Sequence, residues 1–185
     1  MSVTGTLREI GVFPVKSTGG LSPTSTTIGP DGLTGDRAHA VVDAAGTVLR
    51  AKHHPALSGL RLTGPAHSPR LQVPGGVPLD RFLGVPGAHL APVAGGARQV
   101  EAVHLVSLRQ RLAPGAGDTS RANLVVELQD EPDVADWVGA TCRVGPVELE
   151  VVGVPRHCAG VFARVRTPGT VHVGDVAELV PGTHG

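Results

Sequence analysis

Apolar and polar positions alternate most cleanly near the end of the chain. Val147, Leu149 and Val151 fall on one side of an extended segment, and Glu148 and Glu150 fall on the other. That period of two predicts a strand with one packed face and one wet face. Shorter stretches of the same kind, or runs of β-branched residues, recur between turn signals. They predict strands over Leu7–Phe13, Ser25–Ile28, Ala38–Val42, Val48–Ala51, Arg70–Val73, Val100–Leu105, Asn123–Glu127, Thr141–Val144 and Val147–Val152. Gly145-Pro146, Gly29-Pro30-Asp31-Gly32 and Asp43-Ala44-Ala45-Gly46 supply turns between them. Helical signals are local: Ser107 can cap a short helix running to about Leu112, and Asp130 with Glu131-Pro132 can open a turn ending near Trp137. The reading is therefore a mainly β fold with a few short connecting helices.

Composition sharpens this. The chain has 185 residues, of which 26 are glycine and 16 proline, scattered without a period, so long helices are not expected. Hydrophobic residues at 41% supply a core. The 16 basic side chains balance 16 acidic ones, and Phe13, Phe82, Phe162 and Trp137 are the whole aromatic set. Neither a basic track nor a stacking platform for nucleic acid is present. No apolar run reaches the roughly 18 residues that span a bilayer, and the N-terminal residues lack the basic and apolar regions of a secretion signal. The expectation is a cytoplasmic protein that binds neither nucleic acid nor membrane. Gly64–Gly96, rich in Gly and Pro, is expected to form surface loops. A soft boundary near residue 97 then separates an N-terminal lobe, residues 1–96, from a C-terminal one, residues 97–185.

Four segments could carry chemistry. Phe13-Pro14-Val15-Lys16-Ser17-Thr18-Gly19-Gly20 ends a strand in an ammonium, two hydroxyls and approachable backbone amides, a set suited to an anion such as phosphate but lacking P-loop order. Gly32-Leu33-Thr34-Gly35-Asp36-Arg37 is a tight turn in which Arg37 could grip a phosphate while Asp36 holds the turn or an amine donor. Arg121-Ala122-Asn123 stands at a strand entrance. In Val154-Pro155-Arg156-His157-Cys158, proline ends the ladder and leaves Cys158 in a loop, beside two groups able to favour a thiolate. Each has a bland counterpart: a solvated strand end, a surface ion pair, a connector cap, a buried small hydrophobe. Cys142 shares its strand phase with Val144 and reads as core. Of the nine histidines none stands at HxH or HExxH spacing, and most are expected to be solvated.

Taken in order, these segments resemble the MOSC family, relatives of the C-terminal domain of molybdenum cofactor sulfurase. The opening is similar to the N-terminal MOSC β-barrel through Val12–Ser17, Gly32–Arg37 and Val41-Val42-Asp43, and the remainder is similar to the MOSC core through Arg121–Val126, Asp136–Gly139, Pro155–Cys158 and Gly174-Asp175. The resemblance implies an N-terminal barrel lobe fused to a MOSC barrel core, with a cofactor cleft lined by both. It implies that Cys158 ligates molybdenum in a pterin-dithiolene (molybdopterin) cofactor. It further implies that Lys16, Ser17 and Arg37 hold the terminal phosphate, and that Asp36, Arg121, Asn123 and His157 line the cofactor site. The activity implied is a molybdenum-dependent oxidoreductase acting on N-hydroxylated or other N- or S-oxygenated small molecules, with electrons from a separate donor protein. The alternatives are a sulfur carrier or sulfurtransferase that takes a Cys158 persulfide from a sulfur donor, and a non-enzymatic cofactor carrier. The chain departs from the family at His157 and Pro155, where Arg and a further Cys are common, and it is shorter than the two-lobe reductases.

Overall fold

A computed structural model describes residues 2–93, 101–115 and 117–182. In chain order the strands of the first half are β1 (Val3–Ile10), β2 (Ser25–Gly29), β3 (Gly32–Leu33), β4 (His39–Val42), β5 (Arg61–Thr63), β6 (Arg70–Gln72) and β7 (His89–Pro92). The second half adds β8 (Val103–Ser107), β9 (Leu124–Leu128), β10 (Thr141–Val144), β11 (Val147–Gly153), β12 (Val161–Thr167), β13 (Gly169–His172) and β14 (Val176–Val180). Two five-residue helices, α1 (Leu79–Leu83) and α2 (Leu108–Leu112), and short 3-10 turns complete the set. The mainly β reading is what the structure has.

The chain packs as two compact units that interleave in sequence. Among described residues the first holds 2–11, 22–34 and 101–182, and the second holds 12–21 and 35–93. The boundary expected near residue 97 lies outside the described residues.

The first unit is built on a closed seven-stranded barrel in the order β1-β14-β10-β11-β12-β8-β9. Closure leaves no ladder edge exposed. Every pairing is antiparallel except β8 with β9, registered at Leu105 and Leu124. A parallel pair needs a crossover, and α2 lies in it. Ser107 starts this helix with a capping box, accepting from the Gln110 amide at 3.0 Å while the Gln110 side chain accepts from the Ser107 amide at 3.2 Å. Leu108 packs α2 onto Val106, Ala122 and Val125. The β10–β11 hairpin turns at Gly145-Pro146 as its sequence predicts, with Cys142 opposite Leu149 and Val144 opposite Val147, all buried. On the outer face of the hairpin Arg143 pairs with Glu148 at 3.0 Å. A three-stranded sheet, β13-β2-β3, belongs to the same unit.

The second unit contains the β4–β7 pair and the β5–β6 hairpin around a core of Val15, Val41, Leu49, Leu57, Leu60 and Ala88. Here two expectations need correction. Gly64–Gly96 is not simply loop, because its described part contains β6, α1 and β7. Its Leu71, Val73, Leu79, Phe82, Leu83 and Leu90 pack on that core, since apolar side chains too sparse to show a period can still be gathered by one cluster. Val48–Ala51 forms no strand beyond an isolated bridge from Val48 to Val42. Six strands were not expected at all: β3, β5, β7, β12, β13 and β14, of which β12 and β14 are barrel staves. No helix among the described residues is long and apolar enough to cross a membrane.

Candidate functional site

Cys158 lies in the loop that joins β11 to β12. The register of β11 shifts between Val151 and Gly153, a bulge that bends the strand as it leaves the barrel wall, and Pro155 prevents the ladder from resuming. The loop is then held on two sides. On one, Cys158 bridges Asp118, and the Ala159 amide donates to the Asp118 carbonyl at 3.3 Å. A side chain at Gly117 would stand 3.0 Å from the Ala159 nitrogen, so the two backbones touch. On the other side, the Ala159 carbonyl lies 2.7 Å from His104 Nε2. Both polar groups of the residue after the cysteine are thus committed. The Cys158 side chain itself is half-buried, whereas Cys142 is sealed in the barrel and its thiol is pushed up to about 12 by burial.

The electrostatics around Cys158 differ from the sequence expectation. Arg156 and His157 are exposed on the preceding turn, where water screens them, and they do not favour the thiolate. The Cys158 thiol is instead raised above its ordinary pKa, first by burial and then by the Asp118 carboxylate. Asp118 itself is held down by hydrogen bonds from the Ser120 side chain and amide, the latter at 2.9 Å, and by the charges of Arg121 and His104. So Arg121 does belong to the neighbourhood of Cys158, through Asp118.

Asn123 has a different part. It is 0% exposed, its Oδ1 accepts from the His104 amide at 3.0 Å, and its Nδ2 donates to the Gly11 carbonyl at 3.1 Å. Backbone bonds run alongside, from the Asn123 amide to the His104 carbonyl and from the Gly11 amide to the Asn123 carbonyl, both at 2.8 Å. The side chain ties the entrance of β9 to its two neighbours in the barrel. Asn123, expected to line the cofactor cleft, is buried in the structure with its amide turned toward the main chain.

The remaining predicted residues fall in the second unit. Val15 bridges His39, the Lys16 amide donates to the His39 carbonyl at 3.0 Å, and the chain then turns through Ser17 in the left-handed region at φ 67°. Thr18 is buried and its hydroxyl donates back to the Val15 carbonyl at 2.9 Å. Lys16 and Ser17 remain partly exposed on this turn, and Lys16 makes no ion pair among the described residues. Arg37 also has a positive φ, 53°, and donates its amide to the Phe13 carbonyl at 2.8 Å. Asp36 Oδ1 accepts from the Phe13 amide at 2.7 Å, so of its two expected roles it performs the holding of the turn. The Asp36 and Arg37 side chains are 7% and 8% exposed and pair with each other, and the guanidinium lies 5.4 Å from the centre of the Phe13 ring. Arg37 is thus a charge-compensated, stacked group rather than a surface cation.

Sequence reasoning missed His104, Asp118, Gly117 and Ser120. His104 had a signal: it interrupts the apolar run Val103-His104-Leu105-Val106. The other described histidines are exposed or partly exposed, as expected for most of them, but His104 is 2% exposed. Among the described residues no group of three or more His, Cys, Asp or Glu side chains could by itself hold a metal ion.

Three comparisons bear on this arrangement. The family model of the MOSC N-terminal beta barrel domain matches residues 4–139. No curated protein matches the chain. Among solved structures the chain is similar to the crystal structure of the YUAD protein from Bacillus subtilis, with a TM-score of 0.53 and 13% identity over 98% of each chain. At that identity the likeness concerns the fold alone.

Proposed function

Because the chain belongs to the MOSC N-terminal beta barrel domain family, we propose that it holds a molybdenum–pterin cofactor. In this reading it acts as an oxidoreductase on N-hydroxylated or other N- or S-oxygenated small molecules, with electrons from a separate donor protein. The observation that carries the reading is Cys158, a half-buried thiol on a backbone fixed from both sides.

The residues present fit such a group. A metal whose other ligands are the dithiolene sulfurs of an organic cofactor needs only one soft donor from the protein, so a single thiol suffices. Within the second unit Lys16 and Ser17 offer an ammonium and a hydroxyl on a fixed turn, chemistry suited to a phosphate. When bound, the cofactor supplies a centre that cycles between oxidation states while an oxygen atom is transferred.

The chain's own residues do the rest. Burial and then Asp118 raise the Cys158 thiol in the chain itself; Cys158 would hold the metal as a thiolate, the form in which sulfur ligates. The committed Ala159 peptide keeps the sulfur's anchor from moving. Arg121 and Ser120 hold Asp118 ionised beside the thiol. Lys16 attracts the phosphate, and Arg37, paired with Asp36, fixes the neighbouring turn.

The test is expression in a cell that makes the cofactor, followed by metal and pterin analysis and turnover of an N-hydroxylated substrate with a reduced dye as donor. Stoichiometric molybdenum and pterin with turnover are expected in wild type, and Cys158→Ser is expected to keep the cofactor but lose turnover. Metal-free protein carrying labile sulfur would overturn the reading in favour of sulfur transfer, and loaded protein without turnover would leave a cofactor carrier.

A further inference from the structure

We infer that His104 is a positioning residue for Cys158, a buried imidazole whose hydrogen bond to the Ala159 carbonyl holds the cysteine loop against β8. The inference rests on the reading of Cys158 as the working thiol and adds the group that aims it.

An imidazole in a strand where all five residues are buried is costly unless its polar atoms are satisfied. His104 Nε2 faces a carbonyl at 2.7 Å, so that nitrogen carries the proton and donates. The base of the side chain is anchored, with the His104 amide on Asn123 Oδ1 and the His104 carbonyl accepting from the Asn123 amide. The ring is anchored as well. It lies tilted at 58° to Phe162, centroids 5.4 Å apart, and Phe162 is its register partner on β12. The donor therefore has little freedom to swing away from its acceptor.

The loop side is equally constrained. A Cβ at Gly160 would stand 2.4 Å from the Leu105 carbonyl oxygen and 3.1 Å from His104 Nε2, and Gly160 has a φ of 94°. The backbone after Cys158 thus approaches β8 as closely as a residue without a side chain allows. Its amide side is already taken by Asp118. Leucine in place of His104 would fill the same space beside Phe162, but only a donor at this reach fixes the Ala159 carbonyl. That difference separates positioning from packing.

The experiment uses the full chain without cofactor, as wild type, His104→Leu, His104→Gln and Gly160→Ala. Alkylation of Cys158 by iodoacetamide is followed by site-resolved mass spectrometry at one fixed pH, together with amide exchange of the peptide around Ala159. His104→Leu is expected to raise both rates by roughly fivefold to tenfold, the loss of one buried hydrogen bond read as loop opening. His104→Gln, which keeps an amide donor at similar reach, is expected to return both to within about twofold of wild type. Gly160→Ala pushes the loop from the other side with His104 intact and is expected to match His104→Leu. A folded His104→Leu protein with wild-type rates, or a Gln variant no better than Leu, overturns the inference. If His104→Leu does not fold, unchanged rates in Gly160→Ala overturn it instead. A chain that never takes molybdenum would sink the oxidoreductase reading and leave this result standing. Unchanged rates in His104→Leu, with wild type fully loaded, would sink only the positioning role.

Discussion

Replacing Asn123 with alanine should cost folding stability rather than cofactor affinity. The substitution removes the acceptor of the His104 amide at 3.0 Å and the donor to the Gly11 carbonyl at 3.1 Å. Both partners stay in the fold without the side chain that satisfied them. Each such loss costs about 1–3 kcal/mol, so the pair is expected to cost about 2–6 kcal/mol. In a domain of this size each kcal/mol moves Tm by roughly 2–4 °C, so a loss near 4 kcal/mol lowers it by about 8–16 °C. The assay is thermal unfolding followed by circular dichroism, paired with urea unfolding to verify that the dependence on denaturant is unchanged. Asn123→Asp is a useful companion: it keeps an acceptor for His104, loses the donor to Gly11 and buries a charge, so it should be no more stable than the alanine variant. An alanine variant that melts within about 2 °C of wild type would refute the role of Asn123 as a barrel tie.

Arg37→Ala should lower stability by about 3–5 kcal/mol, because it leaves the Asp36 carboxylate buried without its partner, whereas Lys16→Ala should melt like wild type and retain less cofactor at limiting supply; urea unfolding and pterin content separate the two. Cys142 stays protonated in the fold to about pH 12, while the unfolded thiol ionises near its ordinary value. The stability it contributes is therefore complete below that value and is lost as pH rises toward 12, by up to about 1.4 kcal/mol per pH unit. Cys142→Ala should flatten the alkaline part of a stability–pH curve. Asp118→Asn removes a charge that raises the Cys158 thiol, so the midpoint of the alkylation–pH profile should move down while remaining above that of a free cysteine, since burial is the larger cause.

Where neighbours in sequence are also neighbours in space, the fold was legible. The β10–β11 hairpin is set by alternation of Val147, Leu149 and Val151 with Glu148 and Glu150, by a Gly-Pro turn, and by Cys142 in phase with Val144. Ser107 announced α2 because a cap is a contact over three residues. By contrast β12 does alternate, Val161, Ala163 and Val165 against Arg164 and Arg166, yet it follows a loop whose Pro and Gly obscure where a strand could begin. For the candidate site the cysteine was legible as a loop residue after a proline, and Lys16, Ser17, Asp36 and Arg37 as turn residues. Their states were not. The burial of the Asp36–Arg37 pair depends on Phe13, more than twenty residues away, and the raised thiol of Cys158 depends on burial in the folded loop and then on Asp118, brought alongside by an isolated bridge. Contacts of that separation leave no local pattern. His104 is the intermediate case, visible as an anomaly in an apolar run but without its acceptor, Ala159, 55 residues on.

The most direct test of the central claim is X-ray absorption at the molybdenum edge on cofactor-loaded protein, comparing wild type with Cys158→Ser. The account predicts a sulfur ligand from the protein in wild type, replaced by a lighter oxygen or water scatterer in the variant, with the dithiolene sulfurs unchanged. Identical sulfur shells in the two proteins would contradict it.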